Sequence, residues 1–230
     1  MSHTPKYAGT DKHGVRTNRR GQPMKTRPYD ERDGLKIWLT RSEQQQVLDV
    51  VEDDPRKKIA LQLGMHGLRS DEIVDVEPRH FYELADSAGS ALLVSDGKTG
   101  RREIPVSDDL RQSVRYLKNG AQRRKDEPVI DIGERQLRNW IEAVREQLDA
   151  TDDRELTNWS ALTMHDLRRS WATDAYYSLA FAGVPIAEQL TLSYGGWAQT
   201  PKGRQTFRED YLGPVPDHIT AQARNNLALP

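Results

Sequence analysis

The segment HDLRRSWATDAYYSL, residues 165–179, is the most informative part of this 230-residue sequence about its fold. Its apolar residues recur at every fourth position from Leu167 to Leu179, which predicts one long helix with an apolar face. That helix begins in the polar cluster His165–Arg169. Unpaired backbone N–H groups and the helix dipole both favour an anion at a helix start. The stretch therefore predicts a helix whose first turn is suited to a negatively charged ligand.

His165 and Arg168 lie three residues apart and so share one face of this helix, where both side chains can converge on one phosphate. A metal site is disfavoured because no second histidine has a matching spacing and because the neighbouring arginines oppose a cation. A solvated helix start without any ligand is the alternative interpretation.

Outside this stretch, the sequence predicts further helices and one β-hairpin. Thr40 and Glu43 form a capping box before an apolar helix, and Ser70 is predicted to cap a short helix. The apolar run Ala91–Val94 and the run Glu103–Val106 flank a glycine-containing polar turn, which is typical of an antiparallel hairpin. The predicted fold class is α+β, mainly helical, with a small antiparallel sheet.

The composition limits the class of protein. The chain has 34 basic residues, 35 acidic residues and no cysteine, which excludes a disulfide framework, a thiolate zinc site and a cysteine nucleophile. No stretch approaches the roughly 18 apolar residues of a membrane span, and the N-terminus has no apolar signal core. We expect a soluble, cytoplasmic protein.

The charges are unevenly distributed along the chain. The formal net charge is −1, yet residues 1–29 carry seven basic residues against Asp11 alone, a net +6 that leaves −7 for the remainder. Because this segment has almost no aliphatic residues to bury, a mobile basic arm is predicted. Arginines outnumber lysines by 24 to 10, and the planar guanidinium matches phosphate oxygens. A compositional bias of the host is the alternative explanation.

Two predicted turns carry charged candidates. Residues 97–99, Gly-Lys-Thr, end like a phosphate-binding loop, but the first glycine of that pattern would fall on Leu92 and a strand follows, so this loop is disfavoured. Lys98 instead lies at a hairpin tip, where it can deliver a proton to a ligand or be an ordinary exposed lysine. Glu72 is placed to hold the guanidinium of Arg69, in a site or in a structural ion pair.

The C-terminal part adds two aromatic candidates. Trp197 follows two glycines, a position that is otherwise typical of a core or hinge aromatic. Tyr211 lies near a predicted helix end, and a phenol with its ordinary pKa of about 10 is a poor nucleophile at pH 7 unless cations stabilise the phenolate. The significance comes from the order along the chain: arginine, hairpin lysine, His-x-x-Arg, tryptophan, tyrosine.

In this order the residues resemble the catalytic domain of the tyrosine recombinases, the phage-integrase family that includes the chromosome-dimer resolvases. The resemblance runs from Leu39 to Gly213, about three quarters of the chain. The matching segments are Gly67-Leu68-Arg69 with Glu72 for the first box, Gly97–Gly100 with Arg102–Val106 for the hairpin lysine Lys98, His165–Arg168 for the second box, Gly196-Trp197 for the third, and Tyr211 for the nucleophile.

The sequence departs from the family pattern at two points. The distance from Trp197 to Tyr211 is longer than in most members because residues 199–204 resemble an inserted loop, and Tyr194 is the competing tyrosine. Members usually carry an N-terminal core-binding domain, whereas only the basic arm precedes the matched block, so a short form is expected. The expected organisation is a basic flexible arm over residues 1–34, a catalytic domain over 35–213 and a C-terminal tail over 214–230.

The resemblance implies a site-specific DNA recombinase of the integrase or excisionase type, acting on a mobile element through a 3′-phosphotyrosine intermediate. Tyr211 would attack the scissile phosphate, and Lys98 would protonate the departing 5′ oxygen. Arg69 and Arg168 would bind the phosphate oxygens. Because the bond energy stays in the covalent link, neither ATP nor a metal nor another cofactor is expected.

Three further residues would support this reaction: His165 by hydrogen bonding or proton transfer, Trp197 by packing and donating its indole N–H, and Glu72 by orienting the first-box arginine. The implied partners are double-stranded DNA, a homotetramer on two DNA sites and an accessory DNA-bending protein, with no membrane. The predicted DNA contacts are Arg16, Arg19, Arg20, Lys25, Arg27, Arg101, Arg102 and Arg169.

Two other functional classes remain open at this point. A type IB topoisomerase-like enzyme would use nearly the same residues to nick and reseal one strand without exchange. A catalytically inactive DNA-binding regulator would keep the residues without the reaction.

Overall fold

The computed structural model describes residues 23–98, 100–122, 124–151 and 157–227, which form helices and two small antiparallel sheets. The strands are β1 (Lys25–Pro28), β2 (Leu35–Trp38), β3 (Phe81–Glu83), β4 (Ser90–Val94) and β5 (Arg102–Val106). The α-helices are α1 (Arg41–Asp49), α2 (Pro55–Met65), α3 (Ser70–Val74), α4 (Asp108–Gly120), α5 (Glu134–Thr151), α6 (Met164–Phe181), α7 (Ala187–Gly195), α8 (Pro201–Thr206) and α9 (Asp217–Asn226). Shorter helical turns are Pro78–His80, Ala85–Ser87, Trp159–Ala161 and the π-helical turn Phe207–Tyr211.

The predicted hairpin is confirmed as β4 and β5, and β3 adds a third antiparallel strand in the order β3-β4-β5. Leu92 and Ile104 face each other in the register and are both fully buried. Along β5, burial alternates residue by residue, so Arg102 shares the inner face with Ile104. This sheet packs one face against the helices.

The predicted capping box of α1 is also confirmed. The backbone N–H of Glu43 donates to Thr40 Oγ1 over 3.3 Å, and the backbone N–H of Thr40 donates to Glu43 Oε2 over 2.6 Å. At α3 the structure differs by one position, because Ser70 is the first helical residue and Arg69 is the N-cap. The reason is that the Glu72 carboxylate, on the third helical residue, accepts from the Arg69 backbone N–H over 2.8 Å, which is the glutamate half of a capping box and makes Arg69 the N-cap.

The main core lies between α2, α4, α5, α6 and the three-stranded sheet. Helix α2 is central to it, since Ile59, Leu61 and Leu63 are all fully buried. A second, smaller cluster lies between α6, α7 and the π-helical turn; its buried members are Ala172, Leu192, Trp197, Phe207 and Tyr211. The long helix predicted over residues 165–179 is confirmed as α6, which joins the two clusters.

The described part of the predicted flexible arm is ordered. Strand β1 pairs with β2 in the register Lys25 to Trp38, and Met24 and Ile37 are buried. The prediction of a flexible arm up to residue 34 is therefore corrected for residues 23–34, because long-range contacts hold a segment that has few aliphatic residues of its own. Residues 1–22 lie outside the described part of the chain.

Two C-terminal segments are helical. The stretch interpreted as an inserted loop, residues 199–204, instead leads into α8, which begins at Pro201 with Thr200 as its cap. In the tail, α9 packs on α6 and buries Ile219. Among the described helices, none has the length and apolar character needed to cross a membrane. The structure confirms a mainly helical α+β fold with small antiparallel sheets.

Candidate active site

Arg168 lies at the centre of the candidate site. It is on the second turn of α6 and fully buried, and its guanidinium donates through Nη1 to the Gly67 carbonyl and through Nη2 to the Gly195 carbonyl, the latter over 2.6 Å. Arg168 thereby joins the turn after α2 to the end of α7. Burial and the charge of nearby Arg69 lower the pKa of Arg168 to about 10, so it remains cationic at pH 7.

Glu72 holds two arginines beside this centre. Its carboxylate accepts from Arg69 Nη1 over 2.8 Å, from Arg102 Nη1 over 2.7 Å and from Arg102 Nη2 over 2.6 Å. Burial alone would raise the pKa of Glu72, but the hydrogen bonds and charges of Arg102 and Arg69 lower it to about 2. Arg69 also donates through Nη2 to the Gly196 carbonyl over 2.6 Å. Arg69, the first of the two predicted catalytic arginines, is thus fixed beside Arg168, the second.

Tyr211 is packed over Arg168 with two other predicted residues. Its ring centroid lies 4.9 Å from that of His165 and 4.6 Å from that of Trp197. The Arg168 Cζ atom lies 4.3 Å from the Trp197 ring centroid and 5.5 Å from that of Tyr211. The structure therefore brings together Arg69, Glu72, His165, Arg168, Trp197 and Tyr211, which are spread over more than 140 residues of sequence.

His165 is exposed as a whole residue, although its ring faces Tyr211. Desolvation of the ring and the positive charges of Arg169 and Arg168 lower the pKa of His165 to about 3. The imidazole is therefore neutral at pH 7, with one nitrogen that donates a hydrogen bond and one that accepts. A neutral ring beside a tyrosine can receive a proton or share one, whereas an imidazolium could only donate.

Known structures share this architecture. XerA recombinase superposes with a TM-score of 0.58 at 15% identity over 84% of this chain and 66% of that chain. The Tn1549 transposon integrase, solved with transposon right end DNA, gives 0.56 at 14% identity over 87% and 68%, and XerH site-specific recombinase, solved with palindromic difH substrate, gives 0.56 at 14% over 81% and 51%. The protein has a tyrosine recombinase catalytic-domain fold. No protein-family model and no curated protein matches the sequence.

The chain spans about two thirds of the length of XerA recombinase and about half that of XerH.

Within the tyrosine recombinase fold, the hairpin lysine lies at the edge of the site. Lys98 is exposed in the turn between β4 and β5. A Cβ atom at the preceding Gly97 would come within 2.5 Å of Arg102 Nη1 and 3.3 Å of Glu72 Oε1, which shows how closely this turn passes over the Glu72–Arg102 pair. The structure thus puts the Lys98 backbone beside the site and leaves its ammonium in solvent.

Two of the predicted DNA contacts are wrong. Arg102 is buried, because its guanidinium is bound by Glu72 and its Nε donates to the Tyr194 carbonyl over 2.9 Å. Arg169 is also buried, because it pairs with Asp166 and donates to the Asp210 carbonyl over 2.9 Å and to the Tyr29 hydroxyl over 2.8 Å. Neither guanidinium is available to a DNA backbone.

The other predicted contacts have different surroundings. Arg27 and Arg101 are exposed. Lys25 is partly exposed and is held by Asp217 and by the Val215 carbonyl. The remaining three, Arg16, Arg19 and Arg20, lie outside the described residues.

The structure gives Arg102 and Asp166 supporting roles that the sequence analysis did not assign to them. Arg102 is the second guanidinium on Glu72, and because it lies two positions before Ile104 on β5, both side chains are on the inner face of the strand. Asp166 is fully buried and accepts from the backbone N–H groups of Ile37 and Thr163 over 3.0 and 2.9 Å. The spacing of Thr163 and Asp166 at the start of α6 is that of a capping box and was a local signal for Asp166, whereas nothing local indicates its bond to Ile37, 129 residues away.

Proposed function

We propose that this protein is a site-specific DNA recombinase that cuts and rejoins DNA through a 3′-phosphotyrosine formed on Tyr211. The observation that carries the proposal is the state of Arg168. Its guanidinium is fully buried under Tyr211 and Trp197, its Nε has no hydrogen-bond partner in the described part of the chain, and the same holds for the buried Trp197 Nε1.

A buried charge is unfavourable unless it is paired. Among the described residues, Arg168 forms no ion pair, and its two hydrogen-bond partners, the Gly67 and Gly195 carbonyls, are neutral. A phosphate oxygen entering beside Tyr211 would supply the missing negative charge and accept from both unpartnered donors. The same group would be within the field of Arg69, whose position Glu72 fixes. The arrangement therefore favours a ligand with a phosphodiester group.

The proposed reaction needs little more than these groups. The Tyr211 oxygen attacks the phosphorus in line, so that a phosphorus–tyrosine bond forms and the bond to the 5′ oxygen breaks. The phenol proton passes to the imidazole of His165, whose basicity rises when the phosphate charge offsets the charges of Arg169 and Arg168, and the Lys98 ammonium gives a proton to the departing 5′ oxygen. Arg69, Arg168 and the Trp197 indole stabilise charge on the remaining phosphate oxygens. The reverse sequence with another 5′ hydroxyl rejoins the strand.

The finer assignment is integration or excision of a mobile element by four protomers on two double-stranded DNA sites, with an accessory DNA-bending protein as a further partner. It is supported by the fold shared with the transposon integrase. Tyr211 is preferred to Tyr194 as the nucleophile because its ring packs on His165 and Trp197 and lies beside the Arg168 guanidinium.

Covalent trapping tests the proposal. The full chain is incubated with a pool of nicked duplexes of randomised sequence, in which the short fragment 3′ to the cut, which carries the freed 5′ hydroxyl, can be lost by diffusion, and DNA joined to protein is recovered under denaturing conditions and sequenced. We expect adducts with the wild type and with Tyr194→Phe, and none with Tyr211→Phe.

Adducts that persist in Tyr211→Phe would contradict the assignment of the nucleophile. DNA binding without any wild-type adduct would identify a non-catalytic regulator instead. A plasmid carrying two copies of the trapped sequence separates the remaining alternative: a recombinase yields deletion or inversion products, whereas a topoisomerase only relaxes the plasmid.

A further inference from the structure

We propose that Trp38 and Thr173 are positioning residues for Tyr211, and that the β1–β2 hairpin sets where this tyrosine lies in the site. The inference rests on the proposed function of Tyr211 and adds residues that the reaction above does not use. It starts from the main chain of Tyr211, whose carbonyl oxygen accepts from Trp38 Nε1 over 2.7 Å and from Thr173 Oγ1 over 2.9 Å.

Both donors are buried, as is the tyrosine itself. Thr173 belongs to α6, the helix that carries His165 and Arg168, while Trp38 belongs to β2. The Thr173 hydroxyl also accepts from the Gly213 backbone N–H over 2.9 Å. One hydroxyl therefore connects the main chain at Tyr211 and at the second residue after it, and links both to the helix that provides the phosphate-binding arginine.

The Trp38 ring leaves no room for movement on this side. A Cβ atom at Gly213 would lie 2.5 Å from three atoms of the Trp38 indole. The indole thus packs directly against the backbone just after Tyr211 while its N–H holds the Tyr211 carbonyl. Contact and hydrogen bond together fix the main chain from which the phenol projects.

The rest of the hairpin holds the residues on both sides of Tyr211. Lys36 is buried and donates through Nζ to Asp210 Oδ1 over 2.8 Å and to the Glu209 carbonyl over 3.2 Å. Lys25, at the start of β1, donates to the Val215 carbonyl over 2.9 Å. The hairpin therefore forms hydrogen bonds with the chain just before Tyr211, at Tyr211 itself and four residues after it, at Val215.

This arrangement matters for rate because in-line attack depends on the exact place of the nucleophile. A displacement of the reacting atom by about 1 Å can lower a rate by about 100-fold. By contrast, the tyrosine main chain makes no part of the phosphate-binding set, which consists of Arg69, Arg168 and Trp197. Loss of the hydrogen bonds that the Tyr211 carbonyl accepts is therefore expected to slow strand cleavage while leaving DNA binding intact.

The test uses two matched pairs of variants in the full chain. Trp38→Phe removes the indole donor and keeps a ring, and Trp140→Phe makes the same change on α5, away from Tyr211. Thr173→Val removes the hydroxyl at nearly constant shape, and Thr173→Ser restores it. Each variant is compared in single-turnover cleavage of a trapped nicked duplex, in DNA affinity, and in hydrogen exchange of the segment 207–213.

We expect Trp38→Phe and Thr173→Val to cleave about 10- to 100-fold more slowly with unchanged affinity. Loss of one hydrogen bond should speed exchange in residues 207–213 by about 5- to 10-fold. Trp140→Phe and Thr173→Ser should behave like the wild type in all three measurements.

Wild-type cleavage rates in Trp38→Phe and Thr173→Val would overturn the inference, and so would a loss of affinity equal to the loss of rate. If the wild type forms no adduct at all, the proposed function fails instead. Exchange in residues 207–213 then still decides the role of the hairpin, because unchanged exchange in both variants would show that it does not hold Tyr211.

Discussion

Glu72 shows how one buried carboxylate determines the position of two cations. Its two oxygens accept side-chain hydrogen bonds from Arg69 and Arg102, so removing the negative charge would leave both guanidinium groups without their counter-ion. The environment of Glu72 is therefore strongly biased towards the ionised form. That bias makes the residue important both for the stability of the fold and for the geometry of the proposed phosphate site.

Glu72→Gln should lower the free energy of unfolding by about 3 kcal/mol at pH 7. This value follows because the pKa of Glu72 falls from 4.5 to about 2 in the folded protein, and one pKa unit corresponds to about 1.36 kcal/mol. A carboxylate with a lowered pKa stabilises the fold above the unfolded pKa, and the stabilisation disappears as the pH falls through the folded pKa. The difference between wild type and Glu72→Gln should thus shrink between about pH 5 and pH 2.

Urea unfolding at several pH values measures this difference. Glu146→Gln is the matched control, since Glu146 is exposed on α5. A destabilisation by Glu72→Gln that stays constant down to about pH 2 would show that lost packing, and not lost charge, is responsible.

At the scale of single residues, the sequence predicted the members of the site better than their partners. Arg69 and Glu72 are recognisable because they lie three apart at a helix start, where a local contact is geometrically expected. The pairing of Arg102 with Glu72 joins a strand to a helix start 30 residues away, and only the alternation along β5 hinted at it. The burial of Arg169 depends on Asp166, Asp210 and Tyr29, which no local pattern brings together.

The turn between α2 and α3 is the element that most constrains the site. Gly67 has a φ of 88°, its carbonyl accepts from Arg168, and a Cβ atom there would lie 2.4 Å from the Trp171 ring. The turn therefore requires a residue that tolerates a left-handed conformation and has no side chain. The turn fixes both Arg69, which follows it in sequence, and Arg168 on α6.

Gly67→Ala should destabilise the protein by about 2–4 kcal/mol, the sum of a left-handed alanine and an overpacked contact with Trp171. Gly183→Ala separates the two causes, because Gly183 has a similar φ of 76° but open space around its Cβ position. The control should lose only about 1 kcal/mol. Urea unfolding measures both, and equal losses in the two variants would show that the contact with Trp171 is unimportant.

At the scale of elements, local signals gave correct predictions where local interactions decide the structure. The Thr40–Glu43 capping box, the β4–β5 hairpin and α6 are examples, since each is specified by residues close in sequence. Strand β1 was predicted as part of a flexible arm because the partners that stabilise the β1–β2 hairpin, Asp210 for Lys36 and Asp217 for Lys25, lie more than 170 residues away. When a segment is held by ion pairs with distant residues, its own sequence need not show the hydrophobic periodicity by which a strand is recognised.

For the whole molecule, the near-zero net charge conceals a separation of charge. Residues 1–22 carry five basic residues and one acidic residue, whereas the chain as a whole has a net charge of −1. Two of the arginines expected to contact DNA from the body are buried in ion pairs or carbonyl contacts, and Lys25 is occupied by Asp217. The correction of those contacts places more weight on the N-terminal basic residues as the source of non-specific DNA affinity.

Replacing Arg16, Arg19 and Arg20 by glutamine should therefore weaken DNA binding and reduce its dependence on salt. Each phosphate neutralised contributes about 0.9 to the slope of log affinity against log salt, so three lost contacts should reduce the slope by about 2.7. Replacing the same three residues by lysine keeps the charge and should leave the slope nearly unchanged, although arginine and lysine differ in hydrogen-bonding geometry. Titrations of a duplex at several salt concentrations distinguish these results. An unchanged slope in the glutamine variant would mean that the phosphate contacts come from the body of the protein, with exposed Arg27 and Arg101 as the first residues to test.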